Sequence, residues 1–335
     1  MLNVAVVGVG YWGPNMIRNF HAHPQTNVKL CCDLKEERLN FIKGSFPSVE
    51  ITTNYNDILK DKMIDLVVVC TPVFTHYELA ISALKAGKHV LIEKPMTSTS
   101  SQGEEILELA EKKDLKVFVD HTFLFTGAVK KMKEIIDKGE VGDLYYFDSV
   151  RVNLGLFQHD VNVIWDLAPH DISIMQFVLN QKPEYVMATG SDHFNNGLED
   201  VAYLTVYYPN KLIAHIHANW LSPVKIRQTL LAGSKKMVVW DDTEPSEKVR
   251  IYDKGVEVIQ TADQVYNMLI QYRTGDMYCP KIESIEALKE EVGHIVECID
   301  NGKSSIISGE SGLMVTKILE ASDHSIKNRG KEIRI

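Results

Sequence analysis

Three glycines near the start of the chain lie between a strand pattern and a helix pattern. Gly8, Gly10 and Gly13 form G-x-G-x-x-G directly after the apolar run 4–7. Gly8 permits a tight turn, Gly10 lets the backbone approach a pyrophosphate, and Gly13 lets the helix pack closely on the strand. The N–H groups at a helix start favour the negative charge of a diphosphate. The pattern predicts a dinucleotide site, and the alternative is an ordinary glycine-rich turn.

An acidic residue, Asp33, ends the next apolar run. A carboxylate there accepts hydrogen bonds from the ribose hydroxyls of adenosine and repels a 2′-phosphate. No arginine follows directly, although Lys35 and Arg38 are near enough to keep NADP open. We therefore predict NAD rather than NADP, with Tyr11 and Trp12 as further cofactor contacts in the glycine loop. The alternative for the carboxylate is a solvated position at a strand end.

Two polar motifs follow later strands and therefore share the edge of the sheet where the glycines lie. Thr71 and Pro72 lead through His76 into a helix, and Glu93 and Lys94 follow the next strand. Ligands of open α/β sheets bind outside the carboxyl ends of the strands. We expect both motifs to face the cofactor, while the alternative for the lysine is a solvated and inert side chain.

A carboxylate and an imidazole lie four residues apart in the second half of the chain. Asp166 and His170 would project from one face of a helix. A histidine held by a carboxylate is a common acceptor for the proton of a hydroxyl that is being oxidised. The aspartate also suits the N-cap of that helix, which would place Pro169 in the first turn. A capping aspartate with a surface histidine is the alternative, and no third ligand at metal-binding spacing is evident.

The first 120 residues alternate short apolar runs with helical patterns, which is typical of a parallel sheet covered on both faces. The predicted strands are 3–8, 28–33, 49–53, 66–70, 89–92 and 116–119. The predicted helices are 14–23, 35–45, 76–86 and 98–113. Pro14 suits a first helical turn, and Ser98, Ser100 or Ser101 would cap the last of these helices.

The second half of the chain has a different rhythm. Helices are predicted at 127–138, 166–180, 283–301 and 309–328, and strands near 144–153, in several runs over 184–259, and at 332–335. Successive strands separated by turns indicate a large, mainly antiparallel sheet. The predicted class is α/β: a doubly wound parallel sheet of the Rossmann type over 1–122, followed by an α/β domain with a large open sheet over 123–335.

Composition excludes several other classes of protein. The chain has 335 residues, 45% apolar and 24% charged, with a formal charge of −9 and no dense basic cluster, so nucleic acid is not expected as a partner. No apolar stretch reaches the roughly 18 residues of a membrane span, and no signal segment is expected, which favours the cytoplasm. The five cysteines lack paired spacing, so we expect neither a structural disulfide nor a thiolate metal site.

The order of these motifs resembles the Gfo/Idh/MocA oxidoreductases. The glycine loop, the Thr-Pro motif, the Glu-Lys-Pro motif of residues 93–95 and the Asp-x-x-x-His motif occur in the family's order, over essentially the whole chain. The resemblance implies an N-terminal Rossmann domain and a C-terminal α/β domain. One face of its open sheet would bind a sugar and the other often a second subunit. A homodimer or homotetramer is therefore expected.

The resemblance also implies roles for individual residues. Lys94 would hydrogen-bond the reacting oxygen, His170 would act as the general acid/base, and Asp166 would contact the substrate and orient that histidine. The loop after the fourth strand would line the nicotinamide and its ribose through Thr71, Pro72 and His76. Residues 161–165 lack the glycines that many members carry ahead of the aspartate. The run 153–165, which includes Phe157, resembles a branch that acts on nucleotide-linked sugars, such as UDP-N-acetylglucosamine 3-dehydrogenases.

Substrate contacts beyond these residues follow from position alone. His121 stands at the expected domain junction, and Asn153 ends a strand shortly before the Asp-His helix. Arg151 and Arg227 have guanidinium groups that match phosphate geometry and would receive a diphosphate, or else are polar residues on a solvated sheet face. Trp220 either packs a sugar ring or fills an interface.

The expected reaction is oxidation of a ring hydroxyl, with C3 favoured, of a sugar or nucleotide-linked sugar, or its reverse. The histidine accepts the proton, the lysine stabilises the developing alkoxide, and NAD accepts the hydride. Three alternatives stay open: an NAD-dependent glycosidase with transient C3 oxidation, an inositol or free-sugar dehydrogenase, and a sensor without catalysis. Net NADH formation favours a dehydrogenase, whereas release of an aglycone favours the glycosidase.

Overall fold

The computed structural model describes residues 1–155, 158, 160–259 and 269–335 of the chain. Residues 1–126 and 285–320 form one compact unit, and residues 127–284 and 321–335 form a second. The first unit therefore takes its chain from two separate parts of the sequence. Phe157, in the run compared above with nucleotide-sugar enzymes, lies outside the described residues.

The first unit is built on a six-stranded sheet. Its strands are β1 (Leu2–Val7), β2 (Thr26–Cys32), β3 (Glu50–Thr52), β4 (Leu66–Val69), β5 (His89–Ile92) and β6 (Val117–Val119). They lie in the order β3-β2-β1-β4-β5-β6, and every neighbouring pair is parallel. The near-continuous apolar strands are buried on both faces, as a parallel sheet covered by helices requires. The predicted doubly wound sheet is confirmed.

The connecting helices are α1 (Gly13–Ala22), α2 (Glu36–Ser45), α3 (Tyr55–Lys60), α4 (Val73–Lys85) and α5 (Ser100–Lys112). Pro14 lies in the first turn of α1, as predicted. The predicted serine caps of α5 are wrong, because Thr99 Oγ1 accepts the N–H of Gln102 at that position. Helix α4 begins three residues earlier than predicted, because Pro72 stands at its N-cap. The short helix α3 was not predicted.

The second unit is built on a nine-stranded sheet. Its strands are β7 (Leu144–Leu154), β8 (Tyr185–Ser191), β9 (Val201–Tyr207), β10 (Ile213–Asn219), β11 (Leu221–Gly233), β12 (Met237–Asp241), β13 (Val249–Ile259), β14 (Leu269–Tyr278) and β15 (Ile333–Arg334). Their order is β14-β13-β12-β11-β7-β10-β9-β8-β15, and only β10 and β7 pair in parallel among them. The predicted large, mainly antiparallel sheet is confirmed.

Helices α6 (Gly127–Asp137) and α7 (Val163–Leu179) belong to the second unit, and α7 packs on β7, β9 and β10. Asp166 is not the N-cap of α7. Asn162 is, because its Oδ1 accepts the N–H groups of Ile164 and Trp165, each at 3.2 Å. Pro169 consequently lies inside the helix rather than in its first turn. The earlier start leaves the Asp166 carboxylate available for a side-chain partner.

Two further helices complete the described chain. Helix α8 (Ala287–Asn301) lies in the first unit, and α9 (Gly309–Lys327) begins in the first unit and ends in the second. The link between them pairs with the first sheet, where the Val119 N–H donates to the Ile307 carbonyl at 3.0 Å. Within the described ranges no helix combines the length and the apolar character that a membrane crossing requires.

Candidate active site

The glycine loop has the shape that a diphosphate cradle needs. Gly8 has φ +87°, and a Cβ there would lie 2.6 Å from the Cys70 carbonyl oxygen. A Cβ on Gly13 would lie 2.1 Å from the Gly8 carbonyl oxygen, so the start of α1 packs directly on the loop. A Cβ on Gly10 would meet only Arg38, at an ordinary 3.5 Å. The first and third glycines are therefore required by the chain itself, whereas the second leaves the backbone open to a ligand.

A cavity of about 400 Å³ opens beside this loop. It is lined by Val9, Gly10, Tyr11, Pro14, Glu37, Arg38 and Phe41. Asp33 holds the backbone beside the cavity, because Oδ2 accepts the Val9 N–H at 2.8 Å and Oδ1 accepts the Lys35 N–H at 2.9 Å. Arg38 Nη1 lies 3.6 Å from Asp33 Oδ2. The size and lining suit the adenosine half of a dinucleotide, with the Arg38 guanidinium in the lining and the Asp33 carboxylate bonded to the backbone of Val9 beside it.

Tyr11 and Trp12, both expected to contact the cofactor, have different surroundings. Tyr11 is 93% exposed beside the cavity. Trp12 turns toward the sheet, and its indole Nε1 donates to Asp120 Oδ2 at 2.6 Å. The Trp12 side chain thus helps to hold the loop in place.

His76 ties together the loops that follow β4 and β5. Its ring is 1% exposed, with Nε2 2.7 Å from the Thr71 carbonyl oxygen and Nδ1 3.0 Å from the Pro95 carbonyl oxygen. Burial lowers the pKa of this imidazole, which its contacts with the carbonyls oppose. The ring is enclosed, so His76 positions the Thr71-Pro72 and Glu93-Lys94-Pro95 segments from beneath.

Lys94 and His121 occupy adjacent strand ends in the first unit. Lys94 follows β5, and His121 follows β6 with 1% of its surface exposed. Burial and then the charge of Lys94 lower the pKa of His121 to about 3, so its ring is neutral at physiological pH. Neither ring nitrogen of His121 has a hydrogen-bond partner among the described residues. A buried imidazole of this kind is suited to bonding a ligand group.

The second unit contributes the Asp-His pair. Asp166 and His170 lie one turn apart on α7, as predicted. The Trp220 indole Nε1 donates to Asp166 Oδ2 at 3.0 Å, and Trp220 is 1% exposed. Asn153, near the end of β7, is close to Trp220, because the Gly155 N–H two residues further on donates to the Trp220 carbonyl at 3.3 Å. Asp166 therefore has one oxygen fixed by the protein, and Trp220 is too enclosed to stack on a sugar ring.

The start of α7 is held by a polar cluster that the sequence analysis did not identify. The Asn162 side-chain amide donates to Glu199 Oε2 at 2.7 Å and to Asp323 Oδ1 at 3.1 Å. The Trp165 indole donates to Asp323 Oδ2 at 2.8 Å. Burial raises the pKa of Asp323, and its bonds with Asn162 and Trp165 oppose the rise. This cluster fixes the end of the helix that carries the Asp-His pair.

The two arginines expected to receive a diphosphate are placed differently. Arg151 is 2% exposed, and it donates to Asp171 through Nε at 2.5 Å and through Nη2 at 3.2 Å. Ser149 also donates to Asp171, at 2.7 Å. Arg151 thus forms a buried ion pair that joins β7 to α7, and its guanidinium is not exposed to receive a phosphate.

Arg227 keeps a partly exposed guanidinium. Its Nη1 lies 3.7 Å from Asp242 Oδ2, and 29% of its side chain is exposed. Burial and then the neighbouring Arg151 lower its pKa from the usual value. Arg227 is the better placed of the two arginines for an anionic group. In the described ranges no group of three or more His, Cys, Asp or Glu residues is placed to hold a metal ion.

Comparisons with known proteins agree with this geometry. Residues 2–121 match the family described as "Oxidoreductase family, NAD-binding Rossmann fold", and residues 129–239 match the GFO/IDH/MocA C-terminal domain. The chain is 23% identical to myo-inositol 2-dehydrogenase of Thermotoga maritima, over 98% of this chain and 97% of that protein.

Two solved structures share the fold. GenD2 from gentamicin A biosynthesis in complex with NAD has a TM-score of 0.83 at 19% identity, covering 100% of this chain and 96% of that one. UDP-N-acetylglucosamine 3-dehydrogenase GnnA from Acidithiobacillus ferrooxidans has a TM-score of 0.81 at 20% identity, covering 98% of each.

The parallel sheet, the glycine loop and the family match over residues 2–121 together define an NAD-binding oxidoreductase. With both of its domains matched, the chain belongs to the Gfo/Idh/MocA family. The resemblance predicted from its motifs is confirmed.

Proposed function

We propose that the protein oxidises a ring hydroxyl, with C3 favoured, of a sugar or nucleotide-linked sugar to a ketone, or catalyses the reverse. The observation that carries the proposal is the Asp166-His170 pair on α7, with one Asp166 oxygen fixed by Trp220, in an enzyme whose other domain binds NAD. A proton acceptor beside an oriented carboxylate is what oxidation of a hydroxyl requires.

Three residues share the proton chemistry in this proposal. His170 accepts the proton of the substrate hydroxyl, and Asp166 orients that imidazole and contacts the substrate. Lys94 donates a hydrogen bond to the same oxygen and stabilises its developing negative charge. NAD, when bound, accepts the hydride. His121, neutral beside Lys94, offers its ring to the bound molecules without competing for the proton.

The relatives support a cyclic polyol as the substrate. One is named for a myo-inositol and one for a UDP-linked amino sugar, and both names describe oxidation at a ring carbon. In this chain Arg227 is the side chain we propose for an anionic group on such a substrate, and Asn153 is the one we propose for a hydroxyl. An uncharged inositol would make little use of that arginine.

We also propose that the chain works as a homodimer or homotetramer. Support comes from the face of the large sheet where Tyr203 is 43% exposed, with its ring stacked on His217 at 4.3 Å. Light scattering coupled to gel filtration tests this directly. A monomer at all concentrations up to the micromolar range contradicts it.

A substrate panel tests the reaction. The purified protein with NAD is given UDP-sugars, dTDP-sugars, free hexoses and inositols, and formation of NADH is followed by absorbance. We expect NADH with a nucleotide-linked sugar, and Arg227→Ala should raise KM for it more than it lowers kcat. Release of an aglycone from a glycoside without net NADH would instead identify the glycosidase. Turnover of inositols alone contradicts the nucleotide-sugar assignment.

A further inference from the structure

A buried hydrogen-bonded chain links the glycine loop to α8. Trp12, between the second and third glycines, donates through Nε1 to Asp120 Oδ2 at 2.6 Å. Asp120 Oδ1 accepts the Thr122 N–H at 3.1 Å and is also in contact with the Thr122 hydroxyl. That hydroxyl lies 3.0 Å from Glu291 Oε2. All four residues belong to the first unit, and Asp120 and Glu291 are 3% and 1% exposed.

The geometry of this chain requires a proton on one of the carboxyl groups. The Thr122 hydroxyl has one hydrogen but two carboxyl oxygens within reach, so both contacts are hydrogen bonds only if one carboxyl donates. Asp120 accepts from the Trp12 indole and the Thr122 amide, which favours its anion. Glu291 is therefore the acid, and its proton lies within hydrogen-bond reach of both the Thr122 oxygen and the Asp120 carboxylate.

The electrostatics of the surroundings agree with this assignment. Burial, and then the charge of Asp120, raise the pKa of Glu291 well above its usual value. The charge of Glu93, just after β5, adds to that rise. Burial, and then the charges of Glu93 and Asp120, also raise the pKa of the Cys70 thiol, just after β4. Burial also raises the pKa of Asp120, but the bonds from Thr122 and Trp12 oppose that rise. On α1, which packs against α8, Arg18 pairs with Glu286, and His23, just after α1, lies near Gly293.

We propose that neutral Glu291 is a positioning residue for NAD: directly and through Thr122 it holds the Asp120 carboxylate on the Trp12 indole, and so fixes the glycine loop. Trp12 stands at the N-cap of α1, directly before Gly13. Holding its indole therefore fixes the backbone of the loop on which the cofactor diphosphate rests. Glu291 lies 169 residues from Thr122 in the sequence, and it assists cofactor binding without touching the cofactor.

Calorimetric titration with NAD alone, without substrate, tests the proposal. Glu291→Ala removes the donor and should weaken NAD binding about tenfold, the size expected for a hydrogen bond to a charged group. Glu291→Gln keeps a neutral donor and should bind NAD within about twofold of the unchanged protein. Glu297→Ala and Glu297→Gln, at an exposed position of the same helix, are the matched controls and should change nothing.

A double variant tests whether Glu291 acts through the loop. Trp12→Phe should also weaken NAD binding about tenfold, and adding Glu291→Ala should then weaken it no further. Fully additive losses, or a folded Glu291→Ala protein that binds NAD normally, overturn the proposal.

Infrared spectroscopy tests the proton itself and does not depend on the alanine variant being folded. At neutral pH the unchanged protein should show a band from a protonated carboxyl group that Glu291→Gln lacks and Glu297→Gln retains. If no such band is lost, Glu291 is not the acid and the proposal fails. Because these measurements use NAD alone, they are independent of which sugar the enzyme oxidises.

Discussion

The indole nitrogen of Trp220 donates a hydrogen bond to Asp166 Oδ2 at 3.0 Å, joining the link between β10 and β11 to α7. The bond fixes the rotamer of a carboxylate four residues before His170. The order of the proposed catalytic pair thus depends on a buried tryptophan 54 residues away in the sequence.

Trp220→Phe should lower kcat/KM for the sugar substrate by about tenfold to a hundredfold, because a hydrogen bond to a charged group contributes about 1.5–3 kcal/mol. The affinity for NAD should not change. The measurement is steady-state kinetics alongside NAD titration, and Trp240→Phe, at another buried tryptophan of the same sheet, is the control. Equal effects of the two substitutions on kcat/KM would mean that the indole bond has no special role.

Lys94→Ala should lower turnover by a hundredfold or more, on the order of the loss of one group that stabilises an oxyanion. The affinity for NAD should stay nearly unchanged, because we expect the diphosphate and adenosine at the glycine loop and beside Asp33, away from Lys94. Lys112→Ala, with 72% of its side chain exposed on α5, is the control. Near-normal turnover of the true substrate by the Lys94 variant removes this residue from the mechanism.

The first sheet could be predicted from the sequence because strands buried on both faces of a parallel sheet form continuous apolar runs between turns. The start of α7 was predicted wrongly, because Asn162 and Asp166 both suit an N-cap and the local pattern does not choose between them. Asn162 is the cap because Glu199 and Asp323 also hold its amide. Contacts of that kind depend on the tertiary fold.

The residues that support the site could not be predicted from the pattern of the sequence, for the same reason. Glu291 and Thr122 meet across 169 residues, and Trp220 reaches Asp166 across 54. Motif spacing identifies side chains that face a ligand, such as Lys94. It carries no information about the polar groups that hold those side chains from behind, which the folded chain alone brings together.

His121 should remain neutral down to acidic pH, because burial and then Lys94 lower its pKa from 6.5 to about 3. The unfolded chain takes up a proton at this histidine as pH falls below 6.5, whereas the folded chain does not. The contribution of neutral His121 to the free energy of unfolding is therefore complete above pH 6.5. It is lost as the pH drops toward 3, by an amount on the order of a few kcal/mol. His121→Leu should flatten this part of the curve of unfolding free energy against pH.

Proton NMR of the His121 ring checks the same prediction site by site. The ring signals should not titrate between pH 5 and pH 8, in contrast with the ordinary value of about 6.5. The His121 signals are assigned through their loss in His121→Leu. A midpoint near neutrality for His121 contradicts the assignment of a buried, neutral ring.

Asp33→Asn should shift the cofactor preference toward NADP. The amide still accepts one backbone N–H but no longer repels a 2′-phosphate, and the Arg38 guanidinium is at hand, with Nη1 3.6 Å from Asp33 Oδ2. We expect NADP binding to strengthen and NAD binding to weaken, each by about tenfold, the worth of one charge-assisted contact. Adding Arg38→Ala should cancel the gain for NADP. Binding constants for both cofactors in all three variants check this, and a gain that survives loss of the arginine contradicts it.

Asn162→Asp should destabilise the protein at neutral pH although aspartate is a good N-cap. The new carboxylate would lie beside Glu199 and Asp323, where the amide now donates at 2.7 Å and 3.1 Å. Two donors are lost and a third negative charge is added, so we expect a loss of about 2–4 kcal/mol in unfolding free energy.

This loss should depend on pH. Burial raises the pKa of Asp323, so this cluster takes up a proton at a higher pH than an exposed carboxylate does. The loss should therefore shrink as pH is lowered toward 5, and it should shrink more than the loss caused by Asn162→Ala, which removes the donor to Asp323 but adds no charge. Denaturant titrations at several pH values measure both, and parallel curves for the two variants would show that the charge of the cluster is not what the asparagine controls.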